Sequence, residues 1–171
     1  GEFSGDDKIL VVSSSGYYNL LSYDLSTHFP DDMVFLKKMD NNLIITAVYF
    51  YGQKKQFYIK RFKPELKTKK VYFIDQHKES YLELVSSVDN ADLDLEFIKP
   101  RNKKVRPNEL ISLSKFINIK GHLAIGKQLS RYSIKNINLI EVQKLSNQSN
   151  IDVLNPKNDS FNQDSQIKIN F

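Results

Sequence analysis

The fold is decided by the stretch Leu43–Phe62, which reads LIITAVYFYGQKKQFYIKRF. Both halves are rich in β-branched and aromatic residues, which are typical of strands. Between them lies Gly52-Gln53-Lys54-Lys55, a linker with the length and composition found in β-hairpins. Side chains alternate along a strand, so Lys60 lies on one face of the second half and Arg61 on the other. The stretch therefore predicts two paired antiparallel strands, Leu43–Tyr51 and Gln56–Phe62.

Short strands of the same kind are predicted on both sides of this hairpin. Turn signals such as Ser14-Ser15-Gly16 separate them, and alanine is scarce, so no amphipathic run of helix length is expected. Strands that recur roughly every ten to fifteen residues predict an all-β chain of repeated antiparallel units, like the blades of a propeller. The predicted strands are Lys8–Ser13, Tyr17–Tyr23, Met33–Lys38, Val71–Ile74, Tyr81–Ser86, Leu93–Ile98, Leu110–Leu113, Ile117–Ile119 and Tyr132–Val142.

The chain has 171 residues, of which 40% are hydrophobic and 26% charged, enough for one domain with a core and an appendage. Its composition changes after residue 145. Residues 146–164 are rich in Asn, Ser, Asp and Gln and have few apolar anchors, which is typical of flexible segments. We therefore expect a β domain over residues 1–145 and a flexible C-terminal tail over residues 146–171.

The tail closes on Gln166–Phe171, QIKINF, in which polar and apolar residues alternate. One interpretation is a strand that pairs back onto the domain. The other is a short linear motif for a partner protein, because the pattern loosely resembles peptides that dock on the bacterial sliding clamp. Of the two, we favour the strand.

Several kinds of chemistry have no residues to support them in this sequence. There is no cysteine, which excludes disulfides, thiolate metal sites and thiol nucleophiles. His28, His77 and His122 are far apart and lack metal-ligand spacing. The longest apolar stretch, Ile44–Tyr51, is far shorter than the ~20 residues of a membrane helix. We therefore expect no catalytic residue, metal ligand, cofactor or membrane partner, and a cytoplasmic location.

Positive charge is concentrated in the middle of the chain. Residues 1–53 carry three basic and seven acidic side chains, residues 54–135 carry nineteen and nine, and residues 136–171 carry three and four. The net charge of the middle part is therefore +10, although that of the whole chain is +5. A concentrated basic segment is the electrostatic footprint expected of a chain that binds a polyanion such as nucleic acid.

Six segments resemble, in order and spacing, the C-terminal domain of the A subunit of bacterial topoisomerase IV, in the form found in the Bacteroidetes group. Together they span about residues 5–142. The family's domain begins upstream of Gly1, so the resemblance implies that this chain, which does not start with Met, is a fragment holding the later blades and the tail. The segments are Gly5–Val11, Leu25–Phe29 with Asp31–Met33, Ile45–Phe50, Phe57–Phe62, Leu82–Ser86 and Ile119–Leu129.

The resemblance implies a β-pinwheel of about three propeller-like blades that binds double-stranded DNA without sequence preference and bends or wraps it around a basic rim. The parent enzyme that it implies is an ATP-dependent type II DNA topoisomerase, an isomerase of the bacterial cytoplasm and nucleoid. The implied partners within that enzyme are the B subunit, which holds ATP and Mg, and a second A subunit. The glutamine-arginine-glycine-lysine box of gyrase A subunits is absent, which favours topoisomerase IV over gyrase.

Two local patterns resemble catalytic sites but are interpreted as structural. Arg131-Tyr132 copies the dipeptide that cleaves DNA in the family, but there the tyrosine lies in a winged-helix domain, whereas here it lies in a predicted strand. Asp92, Asp94 and Glu96 share one face of a strand, as in a magnesium site. The family's magnesium-binding carboxylates belong to the B subunit, so we interpret these three as an exposed strand face beside a basic loop.

Three groups of basic residues are the candidates for DNA contacts. Lysine suits backbone contacts without base readout, because it is a flexible point charge. For Lys60, which lies among aromatic residues, a structural role is the alternative. A different reading of the whole chain is a propeller-like protein-interaction module whose basic rim binds an acidic partner protein. In order of preference the groups are Lys99, Arg101, Lys103, Lys104 and Arg106; then Lys60, Arg61, Lys63, Lys67, Lys69 and Lys70; then Lys115, Lys120, Lys127, Arg131 and Lys135.

Overall fold

The computed structural model describes residues 7–22, 24, 26–101 and 104–141, and its regular structure is almost entirely strand. The one helix in this part of the chain is the single turn α1 (Leu113–Phe116). In chain order, the strands are β1 (Lys8–Ser13), β2 (Tyr17–Ser22), β3 (Met33–Lys38), β4 (Ile45–Tyr51), β5 (Gln56–Phe62), β6 (Val71–Tyr72), β7 (Tyr81–Ser86), β8 (Ala91–Phe97), β9 (Glu109–Ser112), β10 (Lys127–Gln128) and β11 (Ile134–Glu141).

These strands pair into three small antiparallel sheets. The first sheet has the order β3-β1-β2-β6, the second β10-β5-β4-β7 and the third β11-β8-β9. Each sheet contains a hairpin of consecutive strands and takes at least one strand from farther along the chain. The sequence-based prediction of an all-β, blade-like fold with about three blades is confirmed for the described residues.

The β4–β5 hairpin lies at the centre of the second sheet, in a register that pairs Ile45 with Phe62 and Tyr51 with Gln56. The backbone N–H of Lys54 donates a hydrogen bond to the carbonyl oxygen of Tyr51 (3.1 Å) and closes the turn. The predicted pairing is confirmed, although the first strand begins at Ile45 rather than at Leu43.

Both faces of this hairpin are buried, because the first and third sheets pack against its opposite sides. Ala47 and Tyr49 of β4 belong to the same apolar cluster as Tyr18 of the first sheet. Val48, which points the other way, belongs to a second cluster with Leu93 of the third sheet. Burial on both faces explains why β4 reads as a continuous apolar run instead of an alternating one.

The chain after β9 departs from the predicted strands. Leu113 begins a helical turn, and its carbonyl oxygen accepts a hydrogen bond from the N–H of Ile117 (3.2 Å). The predicted strand Ile117–Ile119 is wrong, because only Ile119 forms a bridge, an isolated parallel one with Arg61. The chain then turns and returns antiparallel to β5 as β10, a two-residue strand that the sequence pattern did not indicate.

The strand β6 is shorter than predicted, ending at Tyr72 instead of Ile74. The N–H groups of Phe73 and Ile74 both donate to the carbonyl oxygen of Gly16 (3.0 and 3.4 Å), which turns the chain out of the ladder. Gly16 has a φ of +78°, and a Cβ at this position would lie 2.1 Å from the Ile74 side chain. Glycine is therefore required at this turn.

The predicted tail, residues 146–171, lies outside the described residues, and so the division at residue 145 stays a prediction. Among the residues described, no helix is long and apolar enough to cross a membrane.

Candidate nucleic-acid interface

Lys60, a candidate for DNA contact, lies in the interior with only 4% of its surface exposed. Its Nζ donates hydrogen bonds to the carbonyl oxygens of His122 (2.8 Å) and Phe73. Burial lowers its pKa to about 8, and the nearby Asp75 carboxylate partly opposes that shift. Lys60 thus ties β5 to two separate loops, and the interpretation of Lys60 as part of a basic surface is corrected.

Arg61, on the opposite face of β5, is also buried, with 8% of its surface exposed. Its Nη2 lies 3.6 Å from Oδ1 of Asp89, and its Nε is buried without a hydrogen-bond partner. The cause is the same for both side chains. The middle sheet is covered on both sides over the second half of β5, so Ile59–Phe62 are buried on both faces. Arg61, like Lys60, is therefore not part of an exposed basic surface.

The rest of the second group is exposed and follows directly after β5. Lys67 forms an ion pair with Glu65, with Nζ 2.5 Å from Oε2, and Lys70 lies over the ring of Tyr17, with Nζ 4.4 Å from the ring centroid. The hydrogen bond from Lys67 is the main reason that the pKa of Glu65 is lowered. Lys63 and Lys69 form no ion pair with any described residue.

The first-ranked loop contains two kinds of basic residue. The guanidinium of Arg106 lies 3.9 Å from the ring centroid of Tyr132 and pairs with Glu109 at 3.5 Å, so it is anchored to the third sheet. Exposed side chains that make no ion pair within the described ranges form the other kind, and they are Lys99, Arg101 and Lys104. Lys103 lies outside the described residues.

All five members of the third group are exposed. Lys127 places its Nζ 3.8 Å from the ring centroid of Phe116 and donates to the carbonyl oxygen of that residue (3.1 Å). Lys135 pairs with Glu96 at 2.6 Å. Arg131 lies over Tyr132 at 5.6 Å, whereas Lys120 and Lys115 make no ion pair in the part of the chain that the structure describes.

The turn Gly121–Gly126, between Lys120 and Lys127, is held tightly against β5. The Tyr49 hydroxyl donates to the carbonyl oxygen of Ile125 (2.6 Å). Gly126 has a φ of +96°, and a Cβ there would lie 2.2 Å from the carbonyl oxygen of Ile59. At the tip, Leu123 is 80% exposed. The predicted strands do not include this turn, although two of the six glycines bracket it and are the signal by which it could have been predicted.

The spacing Gly121-x-x-x-x-Gly126-Lys127 also matches that of nucleotide-binding P-loops. In a P-loop, a Ser or Thr follows the lysine, and the loop leads into a helix whose N–H groups bind phosphate. Here Gln128 follows, and Lys127 begins the short strand β10. The local structure therefore lacks the features by which a P-loop holds a nucleotide.

The patterns interpreted as structural have partners within the third sheet. Glu96 accepts hydrogen bonds from Lys135 and Asn136, both at 2.6 Å, and Asp94 accepts one from Asn108 at 3.1 Å. The ring of Tyr132 packs edge-on against that of Phe97, 6.1 Å between centroids. Across the described ranges, no three His, Asp or Glu side chains are grouped to hold a metal ion. The expectation that the chain has no catalytic residue stays a prediction.

A family model described as the topoisomerase C-terminal domain of Bacteroidota matches residues 1–141. No curated protein and no solved structure matches the chain.

Proposed function

The chain belongs to the Bacteroidota family of topoisomerase C-terminal domains, and on that premise we propose that it binds double-stranded DNA through the phosphate backbone, without sequence preference, and bends or wraps it. Bound segments are thereby steered to the catalytic core of the parent enzyme. We also propose that this parent is the A subunit of topoisomerase IV and that it acts on nucleoid DNA in the bacterial cytoplasm. Its proposed partners are the B subunit, which supplies the ATP and Mg chemistry, and a second A subunit.

The observation that carries the proposal is a set of exposed basic side chains in segments that contain few acidic residues. Residues 110–140 contain five basic side chains and no Asp or Glu. All five are exposed, and so are Lys63, Lys69, Lys99, Arg101 and Lys104. Each phosphate that such a cation neutralises releases condensed counterions, which drives binding to any DNA sequence.

The proposed contact set differs from the sequence-based one in a defined way. It omits the buried Lys60 and Arg61, and it gives Arg106 mainly a role in fixing its loop, because that side chain stacks on Tyr132. Its members are Lys63, Lys67, Lys69, Lys70, Lys99, Arg101, Lys104, Lys120, Lys127 and Arg131, with Lys115 and Lys135 beside them.

The test is the affinity for duplex DNA as a function of salt concentration. A plot of log affinity against log salt should have a slope of about −0.9 for each phosphate contacted, and the affinity should be similar for unrelated sequences. The triple variant Lys99→Ala, Arg101→Ala, Lys104→Ala should reduce the magnitude of that slope by about 2 to 3.

A charge-matched control is the triple variant Lys8→Ala, Lys54→Ala, Lys78→Ala, which removes three exposed cations outside the proposed set. Its slope should stay close to that of the unmodified chain. A flat slope in the unmodified chain, or no binding at low salt, contradicts the proposal and favours the alternative of a protein-interaction module with an acidic partner.

A further inference from the structure

Leu123 is the most exposed large apolar side chain in the described part of the chain, at 80%. Single exposed leucines are common on protein surfaces and need no special explanation. This one has two apolar neighbours in the same segment, Ile119 and Ile125, which are 44% and 54% exposed. Leu123 and Ile125 border one cavity and form an apolar tip, and Ile119 lies just before the base of the turn.

The backbone that carries this tip is fixed by hydrogen bonds at its base. The N–H of Lys120 donates to the carbonyl oxygen of Arg61 (2.9 Å). The buried ammonium of Lys60 holds the carbonyl oxygen of His122 at 2.8 Å. Leu123 is therefore presented on a fixed backbone, so little ordering entropy is lost when it enters a partner.

The charge around the tip indicates the partner. Lys120 and Lys127 flank the turn and both are exposed, whereas the nearest carboxylates along the chain are those of Glu109 and Glu141. An apolar tip between cations is complementary to a polyanion whose interior is apolar. Duplex DNA has this construction, with phosphates outside and stacked bases within. Proteins that bend DNA insert Leu, Ile, Phe or Met between base steps.

Two carboxylates from other segments lie near the turn, those of Glu65 and Asp75. Oε1 of Glu65 lies 3.0 Å from Nδ1 of His122, a side chain that is only 8% exposed. The same carboxylate also pairs with Lys67, so a cation already offsets its charge. Asp75 borders the same cavity as Leu123, and the buried ammonium of Lys60 lies close to this carboxylate and offsets its charge. The contact between Glu65 and His122 therefore braces the base of the turn, and the exposed charges that flank the turn along the chain are those of Lys120 and Lys127.

We propose that Leu123 is such a wedge: resting on the DNA binding proposed above, Lys120 and Lys127 contact phosphates while the Leu123 side chain enters the base stack and kinks the duplex. The three elements have separate tasks. The cations supply affinity, the leucine converts that affinity into a bend, and the hydrogen bonds from Lys60 and Tyr49 keep the leucine in place.

The test uses the chain of residues 1–171 and duplexes that contain 2-aminopurine, with a fluorophore pair at the ends. Binding of the unmodified chain should raise 2-aminopurine fluorescence and shorten the distance between the ends. Leu123→Ala should keep the affinity within about threefold and keep the salt slope, but lose at least about half of both signals. Leu123→Phe, another apolar wedge, should retain them.

Leu110→Ala is the matched control, since Leu110 is 61% exposed but lies on β9 beside Glu109; it should behave as the unmodified chain does. If the unmodified chain binds DNA but Leu123→Ala bends it equally, the wedge is refuted while DNA binding stands. If the unmodified chain does not bind DNA, both proposals fail. The wedge is also refuted if the chain uses Leu123 to bind vesicles of anionic lipid or an acidic protein, and substitution of Leu123 leaves DNA bending unchanged.

Discussion

Lys60 and His122 are 62 positions apart in sequence, yet the Nζ of Lys60 donates a hydrogen bond to the carbonyl oxygen of His122 at 2.8 Å. A second bond from the same ammonium reaches the carbonyl oxygen of Phe73. One buried cation therefore joins the middle strand of the second sheet to the loop after β6 and to the turn that presents Leu123. The fold therefore relies on a buried hydrogen-bond donor that the sequence places among aromatic residues.

Removing that hydrogen-bond donor should destabilise the domain. Lys60→Met keeps the apolar stem but leaves two buried carbonyl oxygens without a donor, and we expect it to lower the free energy of unfolding by about 1–3 kcal/mol. Urea denaturation measures the change. Lys63→Met, which alters an exposed lysine three residues later, should change that free energy by less than about 0.5 kcal/mol. Equal effects of the two substitutions would contradict the role assigned to Lys60.

The same lysine predicts how stability depends on pH. Burial lowers the pKa of Lys60 to about 8, below the ordinary value of 10.5. Between those pH values, the unfolded chain binds more protons at this site than the folded chain does. The contribution of Lys60 to the free energy of unfolding therefore increases as pH rises. We expect this contribution to the free energy of unfolding to increase by about 1–2 kcal/mol between about pH 8 and pH 10. In Lys60→Met this contribution should vanish, which the difference between the two denaturation series measures.

Ionisation of Tyr49 sets the upper limit of the pH range over which stability rises. Burial raises the pKa of Tyr49 above its usual value, so ionisation of Tyr49 disfavours the folded chain at pH values above about 10. Comparison with Lys60→Met at each pH separates the lysine contribution, because Tyr49 is present in both chains.

The two glycines of the turn should respond differently to substitution. Gly126→Ala places a Cβ 2.2 Å from the carbonyl oxygen of Ile59 at a φ of +96°, so we expect a loss of about 2–4 kcal/mol in the free energy of unfolding. Gly121→Ala meets no atom within 4 Å and should cost less than about 1 kcal/mol. Thermal or urea denaturation of both variants provides the comparison, and a reversed order would show that the turn is not packed as described.

Arg106 and Lys104 should differ in what their replacement changes. Arg106→Ala loses the contact with the Tyr132 ring at 3.9 Å, an interaction worth about 0.5–1 kcal/mol at an exposed site. Lys104 is exposed and makes no ion pair within the described residues, so Lys104→Ala should leave the free energy of unfolding unchanged and reduce the magnitude of the DNA salt slope by about 0.9. Denaturation and DNA titration of both variants distinguish a loop anchor from a phosphate contact.

The sequence is sufficient to predict the β4–β5 hairpin and the all-β class, because strand-forming residues and a glycine-containing turn act locally. The sequence is not sufficient to predict that Lys60 and Arg61 are buried. Alternation along one strand assigns them to two faces, but whether either face meets water depends on two other sheets. The prediction of a strand at Ile117–Ile119 is wrong for a related reason. Only Ile119 pairs, and its partner Arg61 comes from a distant part of the chain, so local residue types do not determine how far the pairing extends.

The exposed candidates could be predicted more easily, because lysines in segments between strands rarely find enough apolar cover to be buried. The sequence does not distinguish basic side chains that are fixed by contacts within the domain from those that make no such contacts. Arg106 and Lys104 are two residues apart in the same loop, and Arg106 becomes a structural contact through Tyr132 of a later segment and through Glu109.

The strand order also has a consequence for synthesis on the ribosome. The first sheet is completed by β6, which ends at Tyr72, but the second requires β10, in which Lys127 pairs with Ile59 and Gln128 with Tyr58. The nascent hairpin therefore leaves the exit tunnel with both edges unpaired. The later strand β7 covers the β4 edge, but the β5 edge stays unpaired for about another sixty-five residues of translation at ~5–20 residues per second. During those seconds the backbone N–H and C=O groups along the β5 edge have no strand to pair with.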